Sequence, residues 1–584
     1  MTTTMRGAEI VAETLVRLGV THVAGIPGHT VLDFVDAVFD RQDHLTPVLP
    51  RNEETAAFAS DAFYRVSHRP MVAFAHISVG SANLLTGVTN AYLDSSAMIV
   101  ITGESWSRIQ GRGAYQELAR DRDAGTPDMF RGSVKRSWQV HRADRLLETV
   151  LKAYQLATTG RPGPVHLDVT QDAWADRVEV ELPSIDSLAR SLGGSRASAP
   201  ATAAILDLLE HAERPAILAG GGAVLAEASE ELTALAELLG APVATTVMGK
   251  GSISEHHPLA MGISGWIGTE PANSALRDCD VLLALGTRFA ETDTSAWSAG
   301  KPFSIPPTRL IQIDVDPGEI SKYYQAEVGA VCDIRAVLQD LITGLNERSA
   351  HPPRSRQQWL GTLGEAKEKW RTESEQYLSS DAVPIHTGRV VAELRAALPD
   401  DGLVISDVGN AHKWVAQQFA APRPRSVLST MGGAAMGFGP CGAVGAQLAA
   451  PGRPVVSWVG DGSMSMSLHV LPTVVEYNLP ITYVVVNDAM YGAVKRPQDA
   501  RYGPGRNLFS VFQKQGGDSY RLDFAAIANA MGMQAQRVTR VEEIGPALRR
   551  GIAAPHPFLV DIDVDPSTFV PMTGGGTFVM PALG

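Results

Sequence analysis

Two stretches near the carboxyl end of the chain carry the residue types that bind phosphate and a hard cation. An apolar run, VVSWV, delivers Gly460-Asp461-Gly462-Ser463, and a second apolar run, ITYVVV, ends at Asn487-Asp488. Each run predicts a buried strand and the segment between them predicts a helix. In a parallel sheet both strands then finish at the same edge, where ligands bind. Glycines at such a turn let backbone N–H groups approach phosphate oxygens, and the following helix adds a favourable dipole. Asp461 and Asp488 supply oxygen ligands for a divalent cation, which takes one or two carboxylates and completes its shell with phosphate and water. Gly-Asp-Gly alone also occurs in plain turns; the strand–helix–strand spacing and the Asn-Asp end make the pattern specific.

Other candidates carry less meaning by themselves. Glu53 opens an Ala-rich helical pattern, where an acid is ordinarily a favourable dipole contact. His29 follows the short strand His22–Gly25, and His76 ends the strand that starts near Met71. An isolated histidine is more often structural than catalytic, although its proton chemistry near neutral pH suits a relay.

The spacing from Gly460 to Asp488 resembles the signature of the thiamine-diphosphate-dependent enzymes, Gly-Asp-Gly, a spacer of this length, then Asn-Asn. The resemblance implies thiamine diphosphate and Mg2+ as cofactors, with Gly460, Asp461, Gly462, Ser463 and Asp488 on the cofactor and Asp461, Asp488 and the Met490 carbonyl on the metal. Asp488 departs from the family's usual asparagine, and a carboxylate still suits magnesium. It also implies that Glu53 sets its carboxyl against the cofactor's aminopyrimidine, since Arg51, Glu53, Ala56, Ala59, Asp61 and Arg65 match the family's segment around that acid. In Met431–Gly439 it places Ala434 and Met436 under the cofactor, Met436 as the apolar wedge, and in Asp407-Val408-Gly409-Asn410 it makes Asn410 a diphosphate donor. His29, His76 and Gln116 join Glu53 as catalytic candidates, His76 standing where the related benzoylformate decarboxylase carries an active-site histidine.

Within that superfamily the chain looks closest to the acetolactate synthase group, through TGRPGPVHLDV, LAGGGAV, LIQIDVDP, the carboxyl-terminal PMTGGG and Tyr115-Gln116-Glu117. Parts of the third domain also resemble sulfoacetaldehyde acetyltransferase. Two departures concern the acceptor: the group's acceptor-gripping arginine falls on Thr292, and its acceptor-selecting tryptophan falls on Pro497. The resemblance therefore implies a 2-keto-acid decarboxylase or carboligase with an altered acceptor site. Acyl transfer to phosphate and a non-catalytic cofactor-binding protein of the same fold are the alternatives. A nicotinamide dehydrogenase fits poorly, because Gly220-Gly221-Gly222 gives no GxGxxG with a ribose-binding acid. FAD in the central domain is open, since Trp266-Ile267-Gly268 departs from the group's flavin-side histidine. The resemblance further implies a homodimer or homotetramer, with Glu53, His29, His76 and Gln116 of one chain facing the diphosphate motif of another.

Elements able to hold these groups recur along the chain. Short apolar runs alternate with helical patterns, which predicts βαβ units and an α/β fold of three doubly wound parallel-sheet domains. The expected divisions are a pyrimidine-binding domain at 1–183, a linker at 184–200, a central domain at 201–345, a linker at 346–369, a diphosphate-binding domain at 370–566, and a tail at 567–584 near the active site. At 584 residues several domains are required. Net charge is −13 with both signs interspersed, so no basic stripe exists for nucleic acid or an anionic membrane. No run approaches the length of a membrane span, and three scattered cysteines argue against a disulfide framework and for a cytoplasmic protein.

Overall fold

Strands that are apolar at nearly every position can be satisfied only between two layers of helices. Val281–Leu285 is of this kind, and Met98–Glu104 and Ile481–Asn487, though ending in polar residues, are likewise buried along their whole length. In a computed structural model, residues 3–118, 124–184, 194–348 and 354–573 are described, and they form three such layered sheets. In spatial order the first holds Thr46–Val48, His22–Gly25, Val72–His76, Met98–Glu104, Pro164–Thr170 and Ser137–Val140. The central sheet holds Ala260–Ile263, Val243–Thr245, Pro215–Ala219, Val281–Leu285, Arg309–Asp314 and Val328–Val331. The third holds Val427–Ser429, Leu403–Ser406, Val455–Gly460, Ile481–Asn487, Phe558–Asp563 and Gln534–Val538. Strand pairs in all three run parallel.

Counted along the chain within each sheet, the first and third share the order 2-1-3-4-6-5, whereas the central sheet has 3-2-1-4-5-6. The order reverses between His22–Gly25 and Val72–His76 in the first sheet and between Leu403–Ser406 and Val455–Gly460 in the third. A small antiparallel sheet, Thr3–Arg6 with Arg177–Val180, has no counterpart among the strands read from the sequence.

The chain packs as two compact units. One comprises Met1–Leu192, Gly432–Gly452 and Met466–Ile481; the other comprises Gly193–Met431, Arg453–Ser465 and Thr482–Gly584. The helices that bear on the candidate residues are α1 (Glu53–Ser67), α2 (Ile77–Leu93), α3 (Arg354–Leu378), α4 (Asn410–Gln418), α5 (Phe438–Ala449) and α6 (Gly492–Tyr502). No described helix is long and apolar enough to cross a membrane.

In the first unit α1 is fixed at both ends. The Asn52 side chain accepts from the Glu54 N–H, Glu53 and Glu54 lie in the positive first turn, and His68 closes the helix at φ 55°. Small residues let its neighbours come close. A Cβ on Gly445 of α5 would stand 1.8 Å from the Ala59 carbonyl oxygen, and one on Gly87 of α2 would stand 2.5 Å from the Ala57 methyl. Arg65, buried at the far end of α1, bonds Asp61 at 2.7 Å and Asp94 at 3.0 Å, and its guanidinium lies 4.8 Å from the Phe438 ring centroid.

The linker expected at 346–369 is helical over most of its described part. Ile334–Glu347 runs into it, and from Arg354 onward the chain is the 25-residue α3. Its polar composition misleads because a buried cation does the packing. Arg356, 3% exposed, donates to the carbonyls of Ala212, Leu239, Leu209 and Glu210, while Trp359 Nε1 donates to the Pro215 carbonyl. In the expected 184–200 linker, residues 185–193 lie outside the described set, and a helix already begins at Ala199 behind its Ser198 cap. Of the expected tail, residues 574–584 are likewise outside it.

Arg356→Ala would leave four carbonyls without a donor. A loss of about 2–4 kcal/mol is expected, read as a lower urea midpoint for the first unfolding transition; an unchanged midpoint would refute this role of Arg356.

Candidate active site

The first unit gathers four of the residues singled out from the sequence at the carboxyl edge of its sheet, where the strand order reverses. Glu53 starts α1 and is 8% exposed. One carboxylate oxygen accepts from Asn83 Nδ2 at 2.8 Å. The other lies 3.0 Å from where a Cβ on Gly80 would be, so a side chain at position 80 would press on it. His76 ends its strand, with its ring centroid 4.5 Å from that of His29. Gly28 has to be a glycine by proximity, since a Cβ there would fall 2.2 Å from the His76 ring.

The hydrogen bonds around His76 fix its tautomer. Gln116 Oε1 lies 2.7 Å from Nε2 and can only accept, so Nε2 carries the proton. Nδ1 then accepts from the Thr30 hydroxyl at 2.8 Å. Burial lowers the His76 pKa, and the charge of His29 lowers it further, while Gln116 and Glu53 oppose the shift. Gln116 is held in the left-handed region at φ 62°, its carbonyl accepting from Ser78 Oγ at 2.6 Å. Glu117 next to it accepts from three backbone N–H groups, those of Gly111, Gly113 and Ala114, and so builds the loop that presents Gln116.

The loop before α5 belongs to the same unit. Asp94 accepts from the Gly432 N–H at 2.6 Å, and Asn90 accepts from the Ala435 N–H at 3.3 Å. Asn90 also donates to Asp61, which ties the loop to the Arg65 ion pairs. Ala434 sits at φ 47° and Gly437 at φ 98°, bracketing the half-buried Met436.

The second unit assembles the diphosphate and metal candidates at the reversal point of the third sheet. Ser463 Oγ donates to Asp407 Oδ1 at 2.7 Å, joining the turn after Val455–Gly460 to the turn after Leu403–Ser406. Gly409, at φ 96°, opens α4, and a Cβ on either Gly409 or Gly460 would meet nothing within 4 Å. These glycines therefore border open space, the cradle a diphosphate requires. Gly462 has a different reason: the Tyr491 ring would lie 2.4 Å from a Cβ there. Asn410 Nδ2 donates to the Thr568 carbonyl at 2.9 Å, while its buried Oδ1 has no partner among the described residues.

Asp461 and Asp488 are 3% and 9% exposed and lie together. Asp461 Oδ2 accepts from the Ala489 N–H at 2.7 Å. Met490 faces Val511 in an isolated bridge whose hydrogen bonds use the Ala489 carbonyl and the Tyr491 N–H, so the Met490 carbonyl takes no part in it. Burial first, and the charge of Asp488 second, hold Asp461 well above the usual carboxylate range. Burial lifts Asp488 to about 6, against the opposing Met490 N–H. Two desolvated carboxylates beside open, glycine-lined turns are a donor set that fits a hard divalent cation bridging to phosphate.

Comparison with known proteins agrees with this geometry. Three models of the thiamine pyrophosphate enzymes match the chain: the N-terminal TPP binding domain over residues 5–124, the central domain over 202–341 and the C-terminal TPP binding domain over 407–562. A probable acetolactate synthase large subunit of Methanocaldococcus jannaschii is 35% identical over 98% of this chain and 94% of its own length. The chain belongs to the thiamine pyrophosphate enzyme family. Within the family it is acetolactate synthase-like: chloroplastic acetolactate synthase 2 of Zea mays is 32% identical over 98% of this chain and 88% of its own. A putative thiamine pyrophosphate-containing protein of Bacillus subtilis, YdaP, is 30% identical over 95% and 91%. This thiamine pyrophosphate enzyme has supporting residues that its sequence did not single out, namely Thr30, Asn83, Asn90, Asp94 and Glu117. Each acts by orienting a neighbour, and no local spacing marks such a role.

A carboxyl whose pKa rises on folding stabilises the folded state only while protonated. That stability is full below the unfolded value of ~4 and is lost as pH rises through about 6. In EDTA the unfolding temperature is expected to fall from about pH 4 to about pH 6, and Asp488→Asn to flatten the fall. A wild-type unfolding temperature independent of pH over that range would sink the assignment.

Proposed function

We propose that the protein is a thiamine-diphosphate- and Mg2+-dependent decarboxylase and carboligase of 2-keto acids, with an acceptor site unlike that of acetolactate synthase. The observation that carries the reading is the buried pair Asp461–Asp488 beside the open turns at Gly409 and Gly460. In this reading Asp461, Asp488 and the Met490 carbonyl hold the metal. Gly460, Gly462, Ser463 and Asn410 receive the diphosphate, and Ala434 and Met436 support the rings. The bound cofactor supplies an electron sink for the carbonyl carbon.

The chain's own groups then manage protons and position. Glu53, oriented by Asn83, holds a proton at a carboxylate oxygen for exchange with the aminopyrimidine. His76 offers the proton on Nε2, His29 lies beside it as a second carrier, and Gln116 fixes the ring that delivers it. Thr292 and Pro497, standing where the acetolactate synthase group has its acceptor-reading arginine and tryptophan, support an acceptor other than a second small 2-keto acid. FAD would lie at the central sheet's reversal point, where Gly220 and Gly222 pack against Gly286; flavin absorbance of the purified protein tests that directly.

Protein reconstituted with thiamine diphosphate and Mg2+ is expected to release CO2 from at least one of a panel of 2-keto acids. Glu53→Gln should lower that rate by about 100-fold or more while cofactor affinity persists. No release from any acid with cofactor bound would overturn decarboxylation, and turnover only with phosphate would favour acyl transfer.

The reading also makes the working enzyme a homodimer or homotetramer whose sites draw Glu53 and Asp461 from different chains. Mixing inactive Glu53→Gln with inactive Asp461→Ala under conditions of subunit exchange is therefore expected to restore activity. Mixed oligomers that stay inactive would refute sharing between chains.

A further inference from the structure

Beyond the groups used so far, the second unit places two cations, Lys413 and Arg496, beside the candidate site, and among the described residues neither forms an ion pair. Lys413 lies in α4, three residues after Asn410, and Arg496 lies in α6, four residues after Gly492. The two helices start side by side: a Cβ on Gly492 would stand 3.2 Å from the Asn410 Cβ and 3.3 Å from an Asp488 carboxylate oxygen. One turn along each helix returns to the same face, and helical side chains lean back towards the helix start. Both cations thus stand one turn from helix starts that lie beside Asp488 at the edge carrying the diphosphate turn.

Neither has a carboxylate partner among the described residues. Lys495, next to Arg496 in sequence, is by contrast paired with Asp499 at 2.5 Å. Lys413 is partly buried, and the charge that bears on it has its own sign. Burial and then Arg496 push its ammonium down to about 8. Arg496 stacks 5.2 Å from the Phe569 ring centroid, so its guanidinium is held in place by an apolar surface. A lone surface lysine is simply solvated. A desolvated lysine beside an arginine is repelled until an anion neutralises the pair.

We propose that Lys413 and Arg496 together receive an anionic group, a carboxylate, sulfonate or phosphate, carried by the acceptor substrate; this rests on the carboligase reading above. The cofactor's diphosphate is the other anion with access to this edge. Its donors in that reading are the turns at Gly409 and Gly460 and the metal between Asp461 and Asp488, which leaves the two cations for a second anion.

The test uses protein already loaded with thiamine diphosphate and Mg2+, titrated calorimetrically with inorganic phosphate as the probe. Phosphate is expected to bind, and Lys413→Met and Arg496→Gln each to weaken it about tenfold or more, since each removes one charge-assisted contact. Lys413→Arg should retain binding, and thiamine diphosphate affinity should be the same in all four proteins. Equal phosphate binding in wild type and variants, or none in wild type, overturns the site. Loss of thiamine diphosphate affinity in the variants overturns it differently, by giving the cations to the cofactor. Because phosphate binding needs no turnover, a protein that binds phosphate through this pair yet releases no CO2 would refute the reaction and leave the anion site standing.

Discussion

Everything at the candidate site depends on one topological constraint. In a parallel sheet whose strand order reverses, two neighbouring strands send their following chain to opposite faces, and the space above their carboxyl ends stays uncovered. The first and third sheets reverse at the same point, between their first and third strands. His29 follows and His76 ends the two strands in one sheet, and Gly409 follows and Gly460 ends the equivalent two in the other. One layout thus serves proton-carrying side chains in the first sheet and bare, ligand-admitting backbone in the third.

The open edge is expensive in another respect, because it collects charge away from water. Asp461 and Asp488 share a buried place, and Lys413 and Arg496 share a partly buried one nearby. Like-charged pairs of this kind weaken the empty protein and strengthen its hold on whatever supplies the missing sign. Within the first unit, Arg65 joins α1 to Asp94, and Asp94 and Asn90 hold the 432–437 loop, so the left-handed backbone at Ala434 is held in place by these hydrogen bonds.

What the sequence revealed follows the same division between groups that act alone and groups that act through others. Fully buried central strands such as Pro215–Ala219 and Val281–Leu285 are legible because every position is apolar. The edge strands Ser137–Val140 and Gln534–Val538 escaped notice because they are short and partly polar. Asp461 and Glu53 stand in recognisable contexts, whereas Thr30 and Glu117 are meaningful only once folding brings them to His76 and the 111–117 loop. Polar composition near residue 350 suggested a linker, yet Arg356 turns that segment into a packed helix.

That helix separates two kinds of boundary. Measured by sheet topology, the central layer is complete at Val328–Val331 and its closing helix Ile334–Glu347. Measured by hydrogen bonding, it is not, because the carbonyls of Leu209, Glu210, Ala212 and Leu239 accept from Arg356. A fragment cut at residue 347 would preserve every strand and still expose the ends of two of its helices. The natural unit for excision, grafting or domain exchange therefore extends through Leu378.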